Sequence, residues 1–177
     1  MIKNKKPEPK FERSIPPGDN MERSVCAACG FVDYQNPKIV VGSVAIWEDK
    51  ILLCRRAIDP RKGYWTLPAG YMELGETAED GALREAAEEA CAKLEIDRLM
   101  AVYSVPRISQ VQLMFRARLV SPAIAAGLES EEVALFDWDD IPWPDLAFPT
   151  VGWALRHFRE SRERDDFPPF SNPVDGL

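Results

Sequence analysis

Histidine is almost absent from this chain, and long apolar runs are missing at its start. The 177 residues contain one histidine, His157, with no nucleophile motif beside it, which argues against Ser-His-Asp and Cys-His catalysis. The first twenty residues are charged and rich in proline. They predict neither a secretory signal nor a membrane span, so a cytoplasmic location is expected.

Positive charge is also in short supply. Lys and Arg number 22 against 29 Asp and Glu, which gives a formal net charge of −7. Binding to a nucleic-acid backbone depends on Lys and Arg that neutralise phosphates, so nucleic acid is not expected as the main partner. An acidic protein that handles phosphate needs cations to mediate the contact.

Cysteine is sparse and unevenly spaced. The four cysteines are Cys26, Cys29, Cys54 and Cys91, and this spacing does not suggest a disulfide framework. In the cytoplasm they are expected to be reduced. Cys54 and Cys91 fall in predicted core elements, so we expect both to be small buried hydrophobic residues.

The order of predicted elements indicates an α/β fold. Apolar alternation predicts a hairpin at 38–47 and 51–58 and strands at 99–105, 110–120 and 132–138. A central helix is expected from Thr77 to near Cys91, and an amphipathic helix over 148–165. Together these predict an α/β sandwich on a mixed sheet. Three segments follow: a loosely packed arm with a turn-rich end (1–37), the main domain (38–163) and an irregular tail (164–177).

Three glutamates crowd into one turn of the central helix, at Glu85, Glu88 and Glu89. Like charges at these spacings destabilise a helix by roughly 0.2–0.5 kcal/mol per pair. At 100° per residue the three share one arc, and the opposite arc is apolar and includes Ala86, Ala87 and Ala90. The cluster is either a solvated helix face or a binding site for cations that offset the repulsion.

The preceding segment, "LPAGYMELGE", favours a metal site. Gly70 and Gly75 permit tight turns, and a backbone carbonyl from such a loop can complete the oxygen ligands of a hard cation. Arg84 follows Glu76 by eight residues and can hold that carboxylate by a bidentate contact. We therefore interpret the glutamate cluster as a metal site.

The same residues carry a family resemblance. Gly70, five residues, Glu76, seven residues and then "REAAEE" at 84–89 resembles the Nudix box of hydrolases that cleave a nucleoside diphosphate linked to another group. The family usually has Gly and then a bulky apolar residue where this chain has Cys91 and Ala92, which bears on how the helix ends. The resemblance implies a Nudix-type α/β/α sandwich with a mixed sheet and makes 38–163 the Nudix domain.

The resemblance also implies the cofactor, Mg²⁺ or Mn²⁺, which can activate water and clamp a diphosphate. The implied metal ligands are Glu85, Glu88, Glu89 and the backbone of Gly70 or Ala69. The general base stays open between the box and the later acidic loop. The candidate catalytic residues are Arg84, Glu88, Glu129 and Glu132, and the residues that shape the loop are Gly70 and Glu76.

The substrate is expected to be FAD or ADP-ribose, cleaved to AMP plus FMN or ribose 5-phosphate. Pro106 resembles a proline of ADP-ribose hydrolases, and "SVPRISQ" lacks the longer motif of NADH-hydrolysing relatives, which places NADH third. Candidate phosphate contacts are Arg55, Arg56 and Arg107. Aromatic residues that either stack on a base or pack in the core are Tyr64, Trp65, Tyr103 and Phe115.

Over about residues 10–160 the chain resembles the Nudix subgroup that carries an N-terminal zinc ribbon with two CxxC pairs. Only Cys26 and Cys29 remain here, and a structural zinc takes four ligands, so the arm is interpreted as a metal-free remnant. Zinc held with a second chain, or a zinc-dependent protein-binding unit, stays open. A non-catalytic Nudix-fold sensor or interaction module is the alternative to an enzyme, and the resemblance group makes a homodimer possible.

Overall fold

The computed structural model describes residues 10–174, which divide into an N-terminal unit up to Asn36 and a main unit from Pro37. The N-terminal unit is an antiparallel sheet of β1 (Phe11–Ser14), β2 (Arg23–Cys26) and β3 (Val32–Asp33), in the order β1-β2-β3. The prediction of a loosely packed arm over residues 1 to about 24 is therefore wrong for residues 11–14 and 23–24, because backbone pairing between β1 and β2 orders them. Residues 1–9 lie outside the described part of the chain.

The main unit is built on a mixed sheet of seven strands. Its bounds are β4 (Lys38–Trp47), β5 (Lys50–Arg56), β6 (Trp65–Thr66), β7 (Ala69–Tyr71), β8 (Leu94–Val105), β9 (Gln110–Leu119) and β10 (Ser130–Phe136). The main path runs β10-β5-β4-β9-β8, with β6 on β5 and β7 on β4. The β4–β9 pair is parallel and the other pairs are antiparallel. The predicted hairpin and strands are confirmed.

Two helices cover opposite faces of this sheet, α1 (Ala78–Ala90) and α2 (Pro149–Ser161). Side chains alternate across a strand. In β4, Val44 packs in the same cluster as Trp153 and Leu155 of α2, whereas Ala45 packs with Ala86 of α1. The predicted α/β/α sandwich is confirmed. No helix among residues 10–174 has the length and apolarity needed to cross a membrane.

The helix α1 begins at its predicted cap and ends with strain. Thr77 is the N-cap, and its hydroxyl accepts a hydrogen bond from the backbone N–H of Asp80. At the other end, the backbone of Cys91 adopts the left-handed conformation, with φ 48°. The N–H of Cys91 donates to the carbonyl oxygen of Ala87, and the N–H of Ala92 donates to that of Ala86. This is the pattern in which most helices place Gly. Cys91 is exposed, so the prediction that it is buried is wrong, whereas Cys54 is buried as expected.

Cys91→Gly is expected to stabilise the chain by about 0.5–1 kcal/mol. The left-handed conformation costs an L-residue roughly 1–2 kcal/mol, and the greater freedom of glycine in the unfolded chain offsets about half of the gain. Urea unfolding of the reduced protein measures the difference. Cys91→Ser keeps the strain and serves as the control, and equal midpoints for the two variants would contradict the assignment.

Candidate active site

Arg84 joins the loop before α1 to the glutamates on it. Its Nε and Nη2 donate to the two carboxylate oxygens of Glu76 at 3.0 and 2.9 Å. Nη1 donates to Glu85 at 2.7 Å and to Glu88 at 3.0 Å, and Nη2 also reaches the carbonyl of Tyr71 at 3.1 Å. The predicted bidentate bond to Glu76 is present, and the contact to Tyr71 adds to it. One guanidinium thus sets the position of the loop against the helix.

The charge of Arg84 makes Glu76 a permanent carboxylate. The hydrogen bonds from Arg84, with that from the backbone N–H of Glu73, lower the pKa of Glu76 to about 2. Gly75, at φ 86°, makes the turn that brings Glu76 back towards the helix. The side chain of Glu76 therefore serves the architecture of the loop, since its oxygens are occupied by Arg84 and the loop backbone.

Glu85 and Glu89 lie on the buried side of α1, at 8% and 5% exposure. The predicted apolar arc is therefore wrong for Ala87, which is exposed, and the two glutamates take the face that packs near β7. Burial raises the pKa of Glu85, and burial together with the charge of Glu85 raises the pKa of Glu89 to about 8, although the N–H of Ala69 donates to it at 3.2 Å. Burial thus disfavours the charged form of both carboxylates, and an added positive charge would favour it.

Gly70 leaves the space in which Glu85 sits. A Cβ built on Gly70 would lie 2.4–2.5 Å from all three carboxylate atoms of Glu85, so any side chain there would displace the carboxylate. The carboxylate of Glu85 is therefore packed directly against the backbone of Gly70. This arrangement of hard oxygen atoms and buried negative charge suits a divalent cation. In residues 10–174 no three His, Cys, Asp or Glu side chains already converge as a ligand set.

The loop after β9 is fastened to the end of α1. The N–H of Ala125 donates to Ala90 O at 2.9 Å and that of Gly127 to Glu89 O at 3.0 Å, which satisfies carbonyls that a helix end leaves without partners. A Cβ on Gly127 would lie 1.7 Å from Glu88 O, so only glycine fits. Sequence reasoning missed this contact, although Gly127 is the only glycine in the β9–β10 connection.

The two acidic candidates for the general base, Glu129 and Glu132, lie in different surroundings. The charge of Glu129 raises the pKa of both Glu85 and Glu89, so its carboxylate lies in their field. Glu132 lies on β10 and pairs instead with Arg55 of β5 at 3.3 Å. Glu88 is bound by Arg84 but keeps a side chain that is 60% exposed.

The other predicted contacts fall in three places. Arg56 is close enough to Glu89 that its charge partly offsets the rise that burial causes in the pKa of that carboxyl. Arg55 lies over the ring of Trp65 at 6.0 Å, and Trp65 is half-buried against Phe136. Arg107 is exposed in the short 3-10 turn between β8 and β9. The geometry thus groups Arg56 with the glutamates and groups Arg55 with Trp65.

Two of the aromatic candidates belong to the core. Tyr103 is fully buried and Phe115 is 2% exposed, so neither offers a face to a ligand. The hydroxyl of Tyr103 forms a hydrogen bond of 2.7 Å with Nδ1 of His157. The ring of His157 stacks on that of Phe170, with centroids 4.4 Å apart. Tyr64 is half-buried, with Arg61 over its ring at 5.2 Å. Of the four candidates, Trp65 and Tyr64 are the rings with accessible surface.

Comparison with known proteins decides the family. The model of the NUDIX domain matches residues 36–158. The chain belongs to the Nudix family. The model of the Nudix N-terminal zinc ribbon matches residues 9–35, which makes the small N-terminal sheet the counterpart of that ribbon. The Nudix box thus supplies the loop, the arginine and the glutamates described above, in a hydrolase that acts on small nucleotide substrates.

Several relatives of this Nudix hydrolase are known. An ADP-ribose pyrophosphatase of Methanocaldococcus jannaschii is 33% identical over 65% of this chain and 69% of its own length. An NAD-capped RNA hydrolase of Salmonella heidelberg is 33% identical over 64% of this chain but only 42% of its own length. A crystal structure of a NUDIX hydrolase from Nitrosomonas europaea is 46% identical, with TM-score 0.86, over 92% of this chain and 94% of that chain.

The raised pKa of Glu89 predicts how the metal-free hydrolase responds to pH. Between its ordinary value of 4.5 and about 8, the folded chain holds a proton on Glu89 that the unfolded chain has released. Stability without metal is therefore expected to fall as pH rises through this window, by at most about 1.4 kcal/mol per pH unit. Urea unfolding in a chelator at pH 5–8 measures the slope. Glu89→Gln should flatten it, and an unchanged slope would contradict the burial of this charge.

Proposed function

We propose that this Nudix hydrolase cleaves the pyrophosphate of ADP-ribose or FAD in the presence of Mg²⁺ or Mn²⁺. The observation that carries the proposal is the pair of buried carboxylates, Glu85 and Glu89, beside the backbone of Gly70. A buried carboxylate whose pKa is raised by burial gains most from a cation, because the cation restores the charged form. The products are AMP and either ribose 5-phosphate or FMN.

Glu85 and Glu89 would hold the metal, with Glu88 at the exposed rim and the Gly70 backbone on the loop side. The bound ion supplies a Lewis acid for the diphosphate and a water with a lowered pKa. The chain does the positioning. Arg84 holds Glu85 and Glu88 in place and ties the loop down through Glu76. Arg56, near Glu89, is placed to contact a phosphate of the substrate.

Glu129 is the better candidate for the general base. Its charge acts on Glu85 and Glu89, whereas Glu132 pairs with Arg55 on the neighbouring strand. Glu129→Gln is expected to lower kcat by roughly 10²–10⁴, the usual contribution of a general base, with little change in KM. Glu132→Gln is the matched control and should retain most of kcat. A larger loss of kcat in Glu132→Gln than in Glu129→Gln would assign the base to Glu132. If both variants kept most of kcat, Glu88 would remain as the candidate base.

We put ADP-ribose first among the substrates, and the Methanocaldococcus jannaschii relative named ADP-ribose pyrophosphatase, which matches 65% of this chain and 69% of its own length, supports this order. FAD follows from the resemblance of the box and its flanking segments. The test is a panel of ADP-ribose, FAD, NADH, CoA and dinucleoside polyphosphates, each with Mg²⁺ and with Mn²⁺. We expect the first two to be hydrolysed fastest and to release AMP. Binding of ADP-ribose without hydrolysis of any compound in the panel would favour the alternative, a non-catalytic Nudix-fold sensor.

We also propose that the protein is cytosolic and forms a homodimer. Four cysteines with no pairing pattern suit a reducing compartment. Light scattering of the purified chain at several concentrations tests the dimer directly, since a mass near 20.0 kDa would show a monomer.

A further inference from the structure

The zinc ribbon implied by the family does not fit this chain. Cys26 and Cys29 provide two ligands where a structural zinc takes four, and within residues 10–36 no third His, Cys, Asp or Glu side chain converges on them. The sequence before residue 10 contains neither Cys nor His. Cys54, Cys91 and His157 are all parts of the main unit. The turn between β2 and β3 therefore presents two thiols without their usual cation.

The turn itself keeps a fixed shape around these thiols. The N–H of Cys26 bonds Phe31 O at 2.8 Å, and the N–H of Gly30 bonds Cys26 O at 2.8 Å. Gly30 has φ 73°, the left-handed conformation that closes the turn. Because these hydrogen bonds bracket both ends of the segment, the backbone holds Cys26 and Cys29 on the same turn.

The two thiols differ in exposure. Cys26 is 5% exposed, at the end of β2, whereas Cys29 is exposed to solvent. The backbone N–H groups of Ala28 and Cys29 and the thiol of Cys29 lower the pKa of Cys26. These hydrogen bonds favour the thiolate of the shielded Cys26, and the exposed Cys29 is the thiol that a reagent meets first.

Other contacts hold the N-terminal unit together without a metal. Arg23 donates to Asp19 at 2.8 Å through Nε and lies over the ring of Tyr34 at 5.3 Å. Asp19 also accepts the N–H of Asn20 at 2.7 Å. The side chains of Asp19, Arg23 and Tyr34 connect the β1–β2 loop, β2 and the segment after β3, and none of these contacts includes a cysteine.

We propose that Cys26 and Cys29 form a redox-active dithiol that closes reversibly to an intramolecular disulfide. The oxidant is an external disulfide such as glutathione disulfide. The Cys29 thiolate attacks one of its sulfurs and releases one glutathione thiolate. The Cys26 thiolate then attacks the Cys29 sulfur of the mixed disulfide and releases the second. Two protein thiols lose two electrons and two protons, and the external disulfide is reduced to two thiols.

The test uses the reduced full chain, equilibrated with mixtures of glutathione and glutathione disulfide and then alkylated. In oxidising mixtures, the tryptic peptide 24–38, which contains both cysteines, is expected to lose two hydrogens and retain no glutathione. Dithiothreitol should restore it. Cys26→Ser should leave a stable glutathione adduct on Cys29, and Cys29→Ser should react at Cys26 at least tenfold more slowly. Cys91→Ser is the control and should close like the wild type.

Two results would overturn the proposal. One is a purified chain that carries zinc at one ion per chain or per two chains, with both thiols protected from alkylation until a chelator is added. The other is a wild-type chain in which Cys29 keeps its glutathione and no closed peptide forms. The wild-type measurement decides by itself, so the result does not depend on whether the serine variants fold. Neither result bears on the proposed hydrolysis.

Discussion

Glu89→Gln is expected to lower kcat/KM for the best substrate by roughly 10²–10³, which is about 3–4 kcal/mol of transition-state stabilisation. The carboxylate is 5% exposed and receives a single hydrogen bond, from Ala69, so no partner in the described residues fully compensates its charge. A metal ion supplies several kcal/mol of charge stabilisation to such a reaction, and the amide removes one of its charged ligands. Steady-state kinetics across a range of Mg²⁺ concentrations measures the loss.

Glu79→Gln provides the matched control. It is the same substitution on the same helix, at an exposed position of the first turn, and should leave kcat/KM within a factor of about two. Thermal unfolding gives a second readout. Because an ion that binds only the folded chain stabilises it, Mg²⁺ should raise the Tm of the wild type and of Glu79→Gln but not that of Glu89→Gln. Equal shifts in all three would place the ion elsewhere.

Gly127→Ala is expected to destabilise the fold by about 3 kcal/mol and to impair hydrolysis as well. The new Cβ would lie 1.7 Å from the backbone oxygen of Glu88, an atom that cannot rotate away. Overpacking costs roughly 1–3 kcal/mol, and the hydrogen bonds of Ala125 and Gly127 to the helix are each worth about 1 kcal/mol. Moving this loop also moves Glu129 relative to Glu85 and Glu89. Urea unfolding and kcat should therefore both change.

Gly152→Ala is a control with the opposite sign. This glycine lies inside α2, and the nearest atom to a Cβ at this position is a guanidinium nitrogen of Arg156 at 3.5 Å, an ordinary contact. Alanine is favoured over glycine in a helix by about 0.5–1 kcal/mol, so the variant should be as stable as the wild type or slightly more stable. If Gly127→Ala were equally well tolerated, the loop would not be fastened to α1 in the way described.

The strands and helices were predictable because their signals are local. Thr77 and Asp80 mark the start of α1. The alternation of apolar residues in "KIVVGSVAIW" indicates a strand, whichever strands become its neighbours in the sheet. The N-terminal sheet was missed because its strands are only two to four residues long and contain a single buried residue, so no apolar alternation shows them. Their order comes from backbone pairing.

The chain order of Gly70, Glu76, Arg84 and the three glutamates was enough to indicate a Nudix hydrolase, because this order resembles the Nudix box of that family. Tertiary structure alone decided which glutamates are buried, and it decided that the charge of Glu129 contributes to the raised pKa values of Glu85 and Glu89 while Glu132 pairs with Arg55. Burial depends on the sheet that α1 packs against, and the position of Glu129 depends on hydrogen bonds between the β9–β10 loop and a helix end much earlier in the chain. Such distant contacts leave no periodic pattern in the sequence.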